Sequence, residues 1–165
     1  MVSEGDKAPT FTAPVANGEV GEFDLSAALE DEAPIVLAFF PGAFTSVCSH
    51  EMNTFQDRLA ALTESGATLY GVSVDSPFAL NEFRDKLGLE FDLISDANHE
   101  LVEKYDVSMS FEQFGIEEVS ERAVFIIDEP GTITYAWVGE NAGVEPDYDE
   151  VEAAVEEAAV EEAAN

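Results

Sequence analysis

Cysteine, basic residues and long apolar runs are what this chain has least of, and each scarcity closes a class of function. Among 165 residues there is one cysteine, Cys48, so no internal disulfide, Cys-x-x-Cys redox pair or multi-cysteine metal site can form. Six Lys and Arg, scattered along the chain, provide no basic footprint for nucleic acid. The longest apolar stretch, Ile35 to Ala43 with its Pro and Gly, is too short to span a bilayer. The opening "MVSEGDKAPTF" has neither a basic region nor an apolar core of the secretory kind, and together with the lone thiol it makes a cytoplasmic protein the expectation. No Gly-rich phosphate loop or metalloprotease helix is present, so neither a cofactor nor a metal is expected. Cys48-Ser49-His50 does not amount to a metal site, because residues two apart on a helix diverge and no further cysteine exists.

What the chain does have is acid. Thirty-six Asp and Glu against 6 Lys and Arg leave a net charge of −30. One reading is mimicry of nucleic acid or docking of a basic partner. The other is a surface built for concentrated salt, where a Debye length of ~3 Å screens self-repulsion. The acids run along the whole chain, which favours the second. The remainder is a globular composition, 46% hydrophobic with twelve Phe, and of a length suited to one domain spanning residues 1–165.

The pattern of elements is legible in outline. "APTFTAPVANGEVGEFDLS" alternates around Asn17-Gly18 and predicts a hairpin. "PIVLAFF" (34–40), "ATLYGVSV" (67–74), "FDLIS" (91–95) and "RAVFIID" (122–128) are runs of strand length, the first of them apolar throughout. "TITYAWV" (132–138) follows the turn "DEPG" and closes an antiparallel hairpin. Helices are predicted over 46–63, with Met52, Phe55, Leu59 and Leu62 inward, and after Ser76-Pro77, ending at Gly88. A shorter helix, opened by Asp96, is expected within 95–105, and residues 147–165 form an acidic Ala/Glu-rich helix docked lightly through Val151 and Val155. Strands alternating with helices require a parallel centre, so the fold class is α/β with a mixed central sheet flanked by helices. A ligand site is expected beyond the carboxyl end of a central strand, and Cys48 lies there, just past "IVLAFF".

A lone Cys in a core helix is ordinarily an inert small hydrophobe, Thr45 an ordinary N-cap and Pro41-Gly42 an ordinary turn. Position favours another reading of the thiol. With Thr45 at the cap, Cys48 falls in the first helical turn, where unpaired N–H groups and the positive dipole end favour a thiolate. Ionisation alone gains at most ~30-fold, about 2 kcal/mol, so fast chemistry also needs donors aimed at the developing charge.

Pro41-x-x-x-Thr45-x-x-Cys48 resembles the active-site motif of peroxiredoxins, and "GDKAPTF", "GVSVDSPFALNEFRDKLGLEFDLISD" and "RAVFIID" are similar to that family in the same order. The resemblance covers roughly residues 3 to 140. It implies a thioredoxin-like fold and a thiol peroxidase reducing hydrogen peroxide and organic hydroperoxides in antioxidant defence and redox homeostasis. It also implies roles: Cys48 as peroxidatic nucleophile, Thr45 bonding the peroxide, Pro41 shielding the thiolate, Arg122 holding thiolate and peroxide, and Glu51 orienting Arg122. The residue readings beside these are a solvated strand-end cation for Arg122 and a surface acid for Glu51. Asn53 stands where many relatives carry a second, resolving cysteine. The arrangement is therefore of the one-Cys kind, similar to the AhpE-like and bacterioferritin-comigratory-protein-like branches. It implies an external reductant, either a low-molecular-weight thiol or a thioredoxin-type protein, and a homodimer or higher homo-oligomer. Two other readings stay open: a peroxide sensor, and a non-catalytic thioredoxin-like binding or chaperone module.

Overall fold

The computed structural model describes residues 2–164. Residue 165, the end of the predicted tail helix, lies outside the described residues.

Two hairpins and a parallel centre form one sheet. Strands β1 (Thr12–Ala16) and β2 (Val20–Asp24) are the predicted first hairpin. They are followed by helix α1 (Leu25–Glu32), β3 (Ile35–Phe39), α2 (Ser46–Glu64), β4 (Thr68–Ser73), α3 (Pro77–Leu87), β5 (Asp92–Ser95) and α4 (Glu100–Lys104). Then come β6 (Ser108–Phe111), a 3-10 turn (Glu112–Phe114), β7 (Ile116–Ser120), β8 (Ala123–Ile127), β9 (Ile133–Val138) and α5 (Tyr148–Ala164). Seven strands pair in the order β2-β1-β5-β4-β3-β8-β9, while β6 and β7 pair separately. β3 runs parallel to β4 and β4 to β5; β1 joins β5, and β8 joins β3, antiparallel.

β3 is buried on both faces because both faces are covered. Ile35, Leu37 and Phe39 pack with α1 and α4, whereas Val36, Ala38 and the following Phe40 pack with α2, α3 and α5. Gly71 in β4 lets α2 approach closely: a Cβ there would meet Leu93 Cδ2 at 2.7 Å and Met52 Sδ at 3.3 Å. The α3 boundaries follow their chemistry, with the Ser76 hydroxyl accepting from Ala79 N and Gly88 left-handed at φ 67°.

The sequence reading missed two features and misplaced two. Helix α1, capped by the Asp24 carboxylate on Ala27 N, is short and follows the hairpin without a break. The β6–β7 pair carries the mixed, largely exposed sequence of 108–120 and has little periodicity to detect. α4 starts at Glu100, after a left-handed His99, rather than at Asp96. Asp96 nonetheless serves it from upstream, its carboxylate accepting from Leu101 N and Val102 N at 2.9 and 3.0 Å. Finally, α5 is not lightly docked: Val151 and Val155 are fully buried, in the same cluster as Cys48.

Candidate active site

β3 delivers the chain to the site. Its pairing with β4 continues one residue past the strand, where Phe40 N donates to Val72 O at 2.9 Å. The chain then turns through Pro41-Gly42-Ala43-Phe44. Asp75, just beyond β4, fixes this turn, its carboxylate accepting from Ala43 N at 2.8 Å and from the Ser73 hydroxyl at 2.7 Å. Phe44 is left-handed at φ 67°, a conformation that costs a non-glycine residue about 1 kcal/mol or more. Its ring is seated against Phe83, with centroids 5.2 Å apart. This kink swings the backbone from strand into α2.

Thr45 occupies the N-cap position, but its side chain does not cap the helix; its hydroxyl donates instead to Gly42 O at 3.0 Å. The threonine therefore braces the turn, and its oxygen keeps lone pairs for a donor in the cavity. Cys48 follows at the third helical position, 1% exposed.

Arg122 stands immediately before β8, next to β3 in the sheet, and is 2% exposed. Its Nη2 donates to Cys48 Sγ at 3.3 Å and to Ala142 O at 2.8 Å. Nε donates to the same carbonyl at 3.2 Å, and Nη1 to Glu51 Oε1 at 2.7 Å. Glu51 lies one turn along α2 from Cys48 and is fully buried, not the surface acid of the simpler sequence reading. Its Oε2 has no hydrogen-bond partner among the described residues. Burial pushes the Glu51 carboxyl up to about 8, against the pull of the Arg122 guanidinium. One buried cation cannot neutralise two buried anions, so a Glu51 that resists ionisation leaves the Arg122 charge to the sulfur.

A cavity of about 300 Å³ opens over this group. Pro41, Thr45, Val47, Cys48 and Arg122 line it, joined by Phe111 and Phe114 from the β6–β7 lobe and by Ala142 and Gly143. Among the described residues no carboxylate belongs to that lining, although the chain has 36 Asp and Glu. The arrangement is a recessed thiol beside a fixed guanidinium, under a cavity wide enough for a small electrophile. It can stabilise a thiolate and a second, developing negative charge at one place.

All five residues singled out in the sequence meet here: Pro41, Thr45, Cys48, Glu51 and Arg122. Asp75, Phe111, Phe114 and the Ala142 carbonyl also belong to the site, and no motif pointed to a role for them. Asp75 sits within the segment "GVSVDSPF", but as a plain turn acid; a backbone carbonyl leaves no trace in sequence at all. His50 and His99, neither of which was assigned a role, pair with Glu145 and Glu118. Among the described residues no group of three or more His, Cys, Asp or Glu is arranged to hold a metal.

Residues 4–136 match the model of the AhpC/TSA family. A putative peroxiredoxin bcp of Coxiella burnetii is 34% identical over 137 residues, covering 82% of this chain and 88% of that one. A chloroplastic 2-cysteine peroxiredoxin of Chattonella marina var. antiqua is 39% identical over 142 residues, 81% of this chain and 69% of that one. Among solved structures, the reduced 2-Cys peroxiredoxin of Plasmodium vivax superposes with a TM-score of 0.81 at 26% identity, over 94% of this chain and 81% of that one. The peroxidoxin BcpB of Mycobacterium tuberculosis shares the fold, with a TM-score of 0.81 at 24% identity over 94% of this chain and 97% of that one.

Proposed function

Since the chain belongs to the AhpC/TSA family, with the thioredoxin-like fold of its peroxiredoxin relatives, and is a thiol-dependent peroxidase, we propose that Cys48 is its peroxidatic nucleophile and works without a resolving cysteine. The Cys48 thiolate attacks one oxygen of the hydroperoxide. An S–O bond forms, the O–O bond breaks, and the sulfur loses two electrons as sulfenic acid, while the other oxygen takes a proton and leaves as water or alcohol. The Arg122 guanidinium, whose Nη2 holds the sulfur, stabilises the charge that develops on the leaving oxygen, and Thr45 and the first-turn N–H groups face the same cavity. Pro41 walls the thiolate from bulk water, and Glu51 holds the other end of Arg122.

The observation that carries this reading is the 3.3 Å contact from Arg122 Nη2 to Cys48 Sγ at the floor of an open cavity. An inert core cysteine has no use for a buried guanidinium. Recycling falls to an external thiol, because Cys48 is the chain's one cysteine. One thiol condenses with the sulfenic acid, releasing water, and a second displaces it as a disulfide to restore the thiolate. A low-molecular-weight thiol or a thioredoxin-type protein meets that need, and a reducing cytoplasm supplies either. Self-association is part of the proposal, supported by Phe44, Phe78 and Phe114, which are 51%, 75% and 67% exposed on an otherwise highly charged chain.

The experiment is mass spectrometry after one equivalent of peroxide. One added oxygen at Cys48 is expected, convertible to a mixed disulfide by a small thiol, with Cys48→Ser inert to peroxide. Turnover by Cys48→Ser above a few per cent of wild type would sink the nucleophile assignment. Near-complete conversion to a Cys48–Cys48 covalent dimer would sink the external-thiol scheme.

A further inference from the structure

The connection from β9 to α5, residues 139–147, lies over the site and is fastened in three places. At its start, Gly139 N donates to Arg122 O at 2.8 Å. In its middle, the Ala142 carbonyl receives two N–H groups of the Arg122 side chain. At its far end, Glu145 Oε1 accepts from the Tyr148 hydroxyl at 2.6 Å and lies 2.7 Å from His50 Nδ1. His50 is on α2, two residues past Cys48, and Tyr148 opens α5 with its ring packed edge-on against Phe55 of α2. One carboxylate thus ties the connection to both helices.

We propose that Glu145 is a positioning residue for the peroxidase reaction: by binding His50 and Tyr148 it fixes the Ala142 carbonyl, and that carbonyl aims the Arg122 guanidinium at the Cys48 sulfur. Glu51 grips only Nη1, and a single contact leaves a planar fork free to tilt. The Ala142 carbonyl, shared between Nε and Nη2, sets the plane, and Nη2 is also the nitrogen that reaches sulfur. The carbonyl itself belongs to no strand ladder. Asn141 shapes the local turn, its side chain accepting from Gly143 N and its carbonyl from Val144 N, but those bonds tie the segment only to itself. Glu145 provides the anchor outside. Against the effect of burial, the bonds from Tyr148 and His50 hold its carboxyl below the usual range, so the anchor is ionised at working pH. Ala142, Glu145 and Tyr148 all lie beyond residues 4–136, the part of the chain that matches the family model.

The proposal rests on the roles given to Cys48 and Arg122, and a double-mutant cycle separates the two claims. Cys48 oxidation by peroxide is followed by stopped-flow Trp137 fluorescence in wild type, Glu145→Ala, Arg122→Ala and the double variant. Glu145→Ala is expected to slow oxidation on the order of 10-fold in the wild-type background and less than twofold in the Arg122→Ala background, where nothing remains to aim. Equal slowing in both backgrounds, or none in the first, overturns the positioning role while leaving Cys48 as nucleophile; a peroxide-consuming Cys48→Ser overturns the underlying reading instead. Should Arg122→Ala fail to fold, Arg122→Met takes its place in the cycle, filling the buried position without a guanidinium. Glu145→Ala is then expected to slow oxidation less than twofold in the Arg122→Met background, and slowing there equal to that in wild type overturns the proposal.

Discussion

Glu51 is the residue whose chemistry is hardest to see from its type alone. It sits with no solvent contact, one oxygen on Arg122 and the other without a partner among the described residues. Its pKa rises from 4.5 to about 8, so between those values the folded protein keeps a proton that the unfolded chain has released. The folded state binds more protons in that window, and stability therefore falls as pH rises through it. Below it both states are protonated, and the contribution is fully present. Glu51→Gln keeps the shape and removes the titration. Wild type is therefore expected to lose stability relative to Glu51→Gln from pH 5 to pH 8, by on the order of 1 kcal/mol or more. Urea unfolding of both proteins at the two pH values measures it, and a constant difference would show Glu51 ionised throughout. The same substitution bears on activity, because Glu51 and Cys48 share the one Arg122 guanidinium.

Among the elements, α5 departs furthest from what its composition announces. An Ala- and Glu-rich stretch reads as a solvated helix, yet Val151, Val155 and Ala158 are buried against α2 and the sheet, at 0%, 0% and 2% exposure. Arg58 of α2 reaches Asp149 at 2.7 Å and Glu152 at 3.4 Å, but these partly exposed pairs contribute little beside the burial. Val155→Ala removes two buried methyl groups and leaves a cavity, so a loss of about 2 kcal/mol is expected by urea or thermal unfolding. A helix resting lightly would lose less than about 0.5 kcal/mol. The element matters to function because it backs α2, whose first turns carry Cys48, His50 and Glu51.

At the scale of the whole molecule the net charge of −30 dominates. Six basic residues cannot neutralise 36 acids, and one of the six, Arg122, is buried in the active site. At ~0.1 M salt the Debye length of ~10 Å lets neighbouring carboxylates repel; at molar salt it shrinks to ~3 Å. The thermal midpoint is expected to rise by several degrees between those conditions. A midpoint that salt does not move would mean the acidic surface is no adaptation to salt. Screening also touches the reaction: a negative surface disfavours a thiolate, and among the described residues no carboxylate lines the cavity.

By itself the sequence determined the alternation of strands and helices, the place of Cys48 past a central strand, and the candidates Pro41, Thr45, Arg122 and Glu51. The elements were legible because they depend on local periodicity and on turn and cap chemistry; the roles of Pro41, Thr45, Glu51 and Arg122 came from the resemblance to peroxiredoxins, Arg122 lying 74 residues from Cys48. It could not say that Thr45 braces Gly42 rather than capping α2, since both uses need the same hydroxyl at the same position. It gave no hint of the β6–β7 lobe, where only Val119 and Ser120 at the end of β7 are buried and the short strands are otherwise exposed or half-buried, too little for a clear period. Tertiary structure alone decided that Glu51 is buried, that Ala142 offers its carbonyl to Arg122, and that Glu145 meets His50 across 95 residues of chain. Those contacts join segments distant in sequence, and their energy comes from burial and geometry that exist only once the sheet has assembled.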